Sequence, residues 1–84
     1  MKIRVRFFAS LREAAGLESL EISDVGNFNE LQAALRQQLP AAAMTALAAE
    51  HVRLALNQSL VAEFRSMRFT DGDEVAFLPP VTGG

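Results

Sequence analysis

The chemistry in this sequence is concentrated in its last six residues, Pro79-Pro80-Val81-Thr82-Gly83-Gly84. Glycine has no Cβ, so a diglycine can enter a narrow channel and leave a carboxylate sterically open. A carboxylate is a poor electrophile until one of its oxygens becomes a leaving group. Adenylation by ATP achieves that, after which sulfur, a thiol or an amine can attack the carbonyl carbon. The pattern therefore suits a carrier: Gly84 supplies the reacting carboxyl group, Gly83 the fit to a channel, and another protein the activation. A diglycine that serves only as a frayed end is the alternative, and the rest of the chain has to decide between them.

The chain offers little else for catalysis. It has no cysteine, which excludes disulfides, thiolate ligands and a persulfide carried on this chain. His51 is the only histidine, so a Cys-His pair is impossible and a two-histidine metal site would have to be intermolecular. A Ser-His-Asp arrangement would lack any nucleophile-elbow motif. His51 is read as structural or solvated, and no metal site is expected. The net charge of −2 gives no support to nucleic-acid or anionic-membrane binding. No run approaches the roughly 18 apolar residues of a membrane span, and the N-terminus alternates charged and apolar residues rather than forming a signal-peptide segment. The expected location is cytoplasmic.

At 84 residues the chain reads as one domain, 1–84, with a flexible C-terminal tail at about 79–84. A domain this small buries only roughly 60% of its unfolded surface, and an apolar fraction of 50% suffices for an economical core. Lys2 to Ala9 alternates as a half-buried strand, with Ile3, Val5 and Phe7 on one face. Ser10 and Glu13 stand at capping-box spacing, predicting a short helix from Leu11 to Gly16. Leu20 and Ile22 mark a second strand, forming a hairpin-like pair with the first. Asn27 and Glu30 repeat the capping logic, and Phe28, Leu31, Leu35 and Leu39 line one face of a helix of about three turns. Pro40 stops that helix or begins a second one over the alanine-rich segment that follows.

Val52, Leu54 and Leu56 alternate as a third strand, and Asn57-Gln58-Ser59 reads as a turn. Residues 60–64 predict a short edge strand, Gly72 a tight turn, and residues 74–78 a last strand with Val75 and Phe77 inward. Pro79 and Pro80 end it, since neither can donate to a ladder. The order strand, strand, helix, strand, short strand, strand is α+β, with a helix packed across one face of a sheet.

The alternation fails informatively on the other face. Phe8 falls among Lys2, Arg4 and Arg6, and Ala76 and Leu78 fall opposite Val75 and Phe77. Leu60 joins them if it lies on the neighbouring short strand. Single exposed apolar residues are ordinary. An apolar patch rimmed by arginines and adjoining the tail has the composition of a protein–protein contact.

Three segments, RFFASLREAAG, ALNQSLV and DGDEVAFLPPVTGG, together resemble the small subunit of molybdopterin synthase, the MoaD family. The resemblance covers nearly the full chain, and the last fourteen residues are its most specific part. It implies the β-grasp, ubiquitin-like fold with a mixed sheet. It also implies that Gly84 is adenylated by a MoeB-like partner, which is the component that uses ATP and Mg; this chain itself binds no cofactor. Sulfur from a cysteine-derived persulfide on other proteins then yields a Gly84 thiocarboxylate. The tail would enter a MoaE-like large subunit and give its sulfur to cyclic pyranopterin monophosphate. Phe8, Leu60 and Leu78 map onto the family's docking positions, with Pro79, Pro80, Val81 and Thr82 following into the partner. Arg12 is either a polar contact or a solvated helix residue. The rival readings are a ThiS-like carrier for another pathway, a ubiquitin-like modifier that forms isopeptide bonds through Gly84, and an interaction module with an inert tail.

Overall fold

Alternation in the first eight residues predicts a strand with one buried face, and the fold is built outward from it. The computed structural model describes residues 1–80. Strand β1 (Lys2–Phe7) buries Ile3, Val5 and Phe7 and is paired on both sides. Antiparallel β2 (Ser19–Ser23) lies along one edge, with Ile3 opposite Ile22 and Val5 opposite Leu20. Parallel β5 (Glu74–Leu78) lies along the other, with Val5 opposite Val75 and Phe7 opposite Phe77. Antiparallel β3 (Arg53–Leu56) follows β5, and β4 (Ser59–Val61) forms the far edge. The mixed sheet order β2-β1-β5-β3-β4 is the β-grasp arrangement expected from the resemblance.

Helix α2 (Phe28–Gln38) closes the inner face. Its start is made as predicted: the Asn27 side chain accepts the Glu30 backbone N–H at 2.9 Å. The Glu30 carboxylate reaches back to accept the N–H of Gly26, one residue before the cap, at 2.7 Å. Phe28, Leu31, Leu35 and Leu39 are all buried, each large side chain contributing about 1.5–3 kcal/mol of apolar transfer. Pro40 does both jobs left open by its position. It holds Leu39 in an extended conformation that ends α2, and it is the N-cap of α3 (Ala41–Leu47). Ala43 is fully buried, which is what a close approach to neighbouring elements requires of a small residue.

Two local expectations are corrected. Helix α1 runs Ala9–Ala15, starting two residues before Leu11, and its N-cap is Phe8 with no side-chain capping bond. The Ser10–Glu13 capping box does not form, because the Phe8 carbonyl accepts from Leu11 N–H at 3.0 Å and from Arg12 N–H at 3.4 Å. The chain thus passes from strand to helix through Ala9, at φ 49°. Gly16, at φ 79°, terminates this helix as predicted. The expected strand over 60–64 is confined to Ser59–Val61 and is followed by a 3-10 turn at Phe64–Ser66. Phe64 meets Phe28 edge-on at 5.1 Å, and Met67 and Phe69 join the core. Phe69 N–H donates to Gly26 O at 3.0 Å, tying this segment to the start of α2.

Candidate functional site

The site begins with the outward-facing row of the sheet. Register places Arg6 beside Ala76, Ala76 beside Ala55, and Ala55 beside Leu60, across β1, β5, β3 and β4 in turn. One step along, Leu78 stands opposite Arg53. Phe8 lies just past the end of β1. Its backbone is nevertheless extended, at φ −116° and ψ 147°, and its N–H donates to Phe77 O at 3.2 Å. The strand's alternation therefore carries through Phe8, and its ring stays on the outer face.

Phe8, Leu60 and Leu78 converge on one depression of about 250 Å³, whose lining also includes Arg6, Glu74 and Gln58, with Ala55 and Ala76. Leu60 is 63% exposed, an unusual cost for a leucine, whereas Phe8 and Leu78 are half-buried. The Arg6 guanidinium carbon lies 4.8 Å from the centre of the Phe8 ring, and Arg6 Nη1 lies 3.4 Å from Glu74 Oε1. Among the described residues, the formal charges lining the depression thus pair with each other. Most of this lining was visible from strand alternation; Ala55, Gln58 and Glu74 were not. Alternation puts Ala55 opposite to Leu54 and Leu56, but an alanine there gives no signal until register sets it between Ala76 and Leu60.

Pro79 is half-buried and Pro80 exposed, directly after Leu78. Val81, Thr82, Gly83 and Gly84 lie outside the described residues. Arg12 is exposed on α1. His51 is exposed at φ 68°, with Nε2 3.9 Å from Glu50, and no group of three or more potential metal-ligating side chains occurs among the described residues. No helix among them is long and apolar enough to cross a membrane. A second recess, of about 170 Å³, opens on the helix-covered face between Phe28, Leu35, Met44, Leu47 and Phe64 and includes none of the predicted site residues.

The ThiS family model matches residues 5–84, nearly the whole chain. The chain belongs to the ThiS family. This ThiS-family chain is 46% identical over 85 residues to the molybdopterin synthase sulfur carrier subunit of Escherichia coli (strain K12), covering 98% of this chain and 99% of that one. It is 36% identical over 84 residues to the subunit of the same name from Haemophilus influenzae, at 98% and 99% coverage. Among solved structures it is similar to a chain in the complex of subunits 1 and 2 of the molybdopterin-converting factor from Helicobacter pylori, with a TM-score of 0.70, 30% identity and full coverage of both chains. It is also similar to the small archaeal modifier protein 1 of Methanosarcina acetivorans, at a TM-score of 0.77, 27% identity and coverage of 99% and 96%. Backbone shape alone does not distinguish the two kinds of protein, since the modifier aligns at a TM-score of 0.77 and the converting-factor chain at 0.70.

Proposed function

We propose that this chain is the sulfur-carrier small subunit of a molybdopterin synthase. One observation carries the reading: near-full-length identity of 46% to a sulfur carrier subunit of that enzyme. The outer-face depression supports it, because it supplies a docking surface that ends at Leu78, directly before the tail.

In this reading Phe8, Leu60 and Leu78 hold the domain on its partners while Pro79 to Thr82 lead Gly83 and Gly84 into their active sites. An adenylating enzyme of the MoeB type transfers AMP from Mg-ATP to the Gly84 carboxylate, releasing pyrophosphate. Persulfide sulfur displaces AMP, and a thiol reduces the resulting acyl disulfide to leave the thiocarboxylate. The large subunit then receives the tail, and the sulfur passes to cyclic pyranopterin monophosphate as water restores the carboxylate. ATP and Mg belong to the activating partner. This chain contributes the carboxyl group, its presentation and the docking contacts, and the work is that of a compact protein inside the cytoplasm.

Deleting Gly84 tests the reading, since no core residue among those described lies beyond Phe77. The truncated chain should keep its melting temperature and lose all sulfur transfer in an assay reconstituted with activating enzyme, sulfur donor and large subunit. Normal turnover by the truncated chain would rule out the carrier role.

A further inference from the structure

The outer-face depression has a shape that a flat apolar patch would not need. Ala55 is only 6% exposed, yet it lies outside the core cluster beneath the helices. It lines the outer-face depression instead. Its neighbours in register are Ala76 and Leu60, so two methyl groups form a low floor across the middle strands. Phe8, Leu60 and Leu78 rise around that floor, and the Arg6–Glu74 pair closes part of the rim.

We infer that this depression is a socket for one bulky uncharged side chain, aliphatic or aromatic, presented by the large-subunit partner, and that Ala55 and Ala76 set its depth. The inference rests on the carrier reading above and deepens it. Three features select the occupant. The volume of about 250 Å³ accommodates one large side chain rather than a helix or a strand. The two floor side chains are alanine methyl groups, so a polar tip that passed the Gln58 side of the rim and reached them would lose its hydrogen bonds. Among the described residues the rim charges, Arg6 and Glu74, already pair with each other, so an inserted charge would meet no free counter-charge from them. A buried anchor filling a pocket at the centre of an interface, ringed by water-excluding contacts, is the arrangement that concentrates binding energy.

A size series at the floor separates a socket from a flat patch, because the two predict opposite signs. Ala55→Val, Ala55→Leu and Ala76→Leu add apolar area but fill the depression. Binding to the host's own large subunit, measured by calorimetry with the full-length carrier, should weaken stepwise with added volume, reaching tenfold or more for either leucine. Ala76→Leu, at a half-buried outer-face position, should hold its melting temperature, and binding by the variants of the nearly covered Ala55 is measured well below theirs. Unchanged or tighter binding across the series would overturn the socket. Leu60→Asp, measured alongside, tests the surface itself: lost binding there with an unaffected size series would remove the socket and leave the docking surface standing. Wild-type binding by Leu60→Asp would remove both.

Discussion

Phe8 occupies the junction where one residue decides both geometry and contact. Its backbone is still extended and still in the ladder, while its carbonyl already accepts the first helical N–H groups of α1. The turn between the two is absorbed by Ala9 at φ 49°, a left-handed conformation that costs a non-glycine residue of order 1 kcal/mol. The result is an aromatic ring held on the outer face under Arg6, at the mouth of the depression. Phe8→Arg and Leu78→Asp should each weaken large-subunit binding by about 2 kcal/mol or more, as truncating a central anchor does. Their folding stability should change by less than about 1 kcal/mol, because neither side chain belongs to the core under the helices. Calorimetric binding and thermal melts on the same samples check both halves. A large loss of stability would mean that the outer face is part of the core.

Between elements, the connection that matters most is the polar clamp joining the 70–73 turn to the β3–β4 hairpin. Asn57 and Gln58 both have positive φ, 49° and 72°, as a two-residue hairpin turn matched to strand twist requires. Asn57 Nδ2 donates to Asp73 Oδ1 at 2.9 Å, and Asn57 Oδ1 accepts the Glu74 backbone N–H at 2.9 Å. Asp73 also accepts the Thr70 backbone N–H at 2.8 Å. These donors, the Asn57 amide first, hold the Asp73 carboxyl below its ordinary value of 3.8. A carboxyl whose folded pKa is depressed adds stability above its unfolded pKa and loses it as pH falls through the folded one. The gap in melting temperature between wild type and Asp73→Asn should therefore be widest near neutrality and close as pH falls below about 4. A gap independent of pH would mean that the ionised carboxylate contributes nothing to the clamp.

Elements with strong local signals were legible in sequence. Helix α2 has its Asn27 cap and a complete apolar stripe, β1 alternates clearly, and β3 and β5 carry their larger inward residues at every second position. The segment from 62 to 69 was not legible. Met67 and Phe69 are buried and Phe64 partly so, at irregular spacing, and the segment is tied to Phe28 and Gly26, far away in sequence. The start of α1 was misplaced for a similar reason: a ladder bond from Phe8 to β5 outweighs the local capping signal of Ser10.

At the scale of the whole molecule, the sheet order gives the carrier its geometry. β5 lies in the middle of the sheet, paired with β1 on one side and β3 on the other, so its exit point is anchored from both sides. Leu78 closes that strand on the outer face, and the proposed reactive end begins two prolines later. A partner that recognises the outer face therefore receives the C-terminal glycines from a fixed origin, while the helices on the opposite face carry the core. Phe8 and Leu78 could be read as outer-face residues because apolar side chains there violate the alternation, whereas the proposed carrier chemistry rests on the diglycine and the resemblance alone. The most direct test of the central claim is intact-protein mass spectrometry of the chain purified from its native host, with fragmentation of the C-terminus. The account predicts a species heavier by the difference between sulfur and oxygen, with the change localised to Gly84. Free carboxylate accompanied by lysine-linked adducts through Gly84, with no sulfur-bearing form under conditions of active cofactor synthesis, would contradict it.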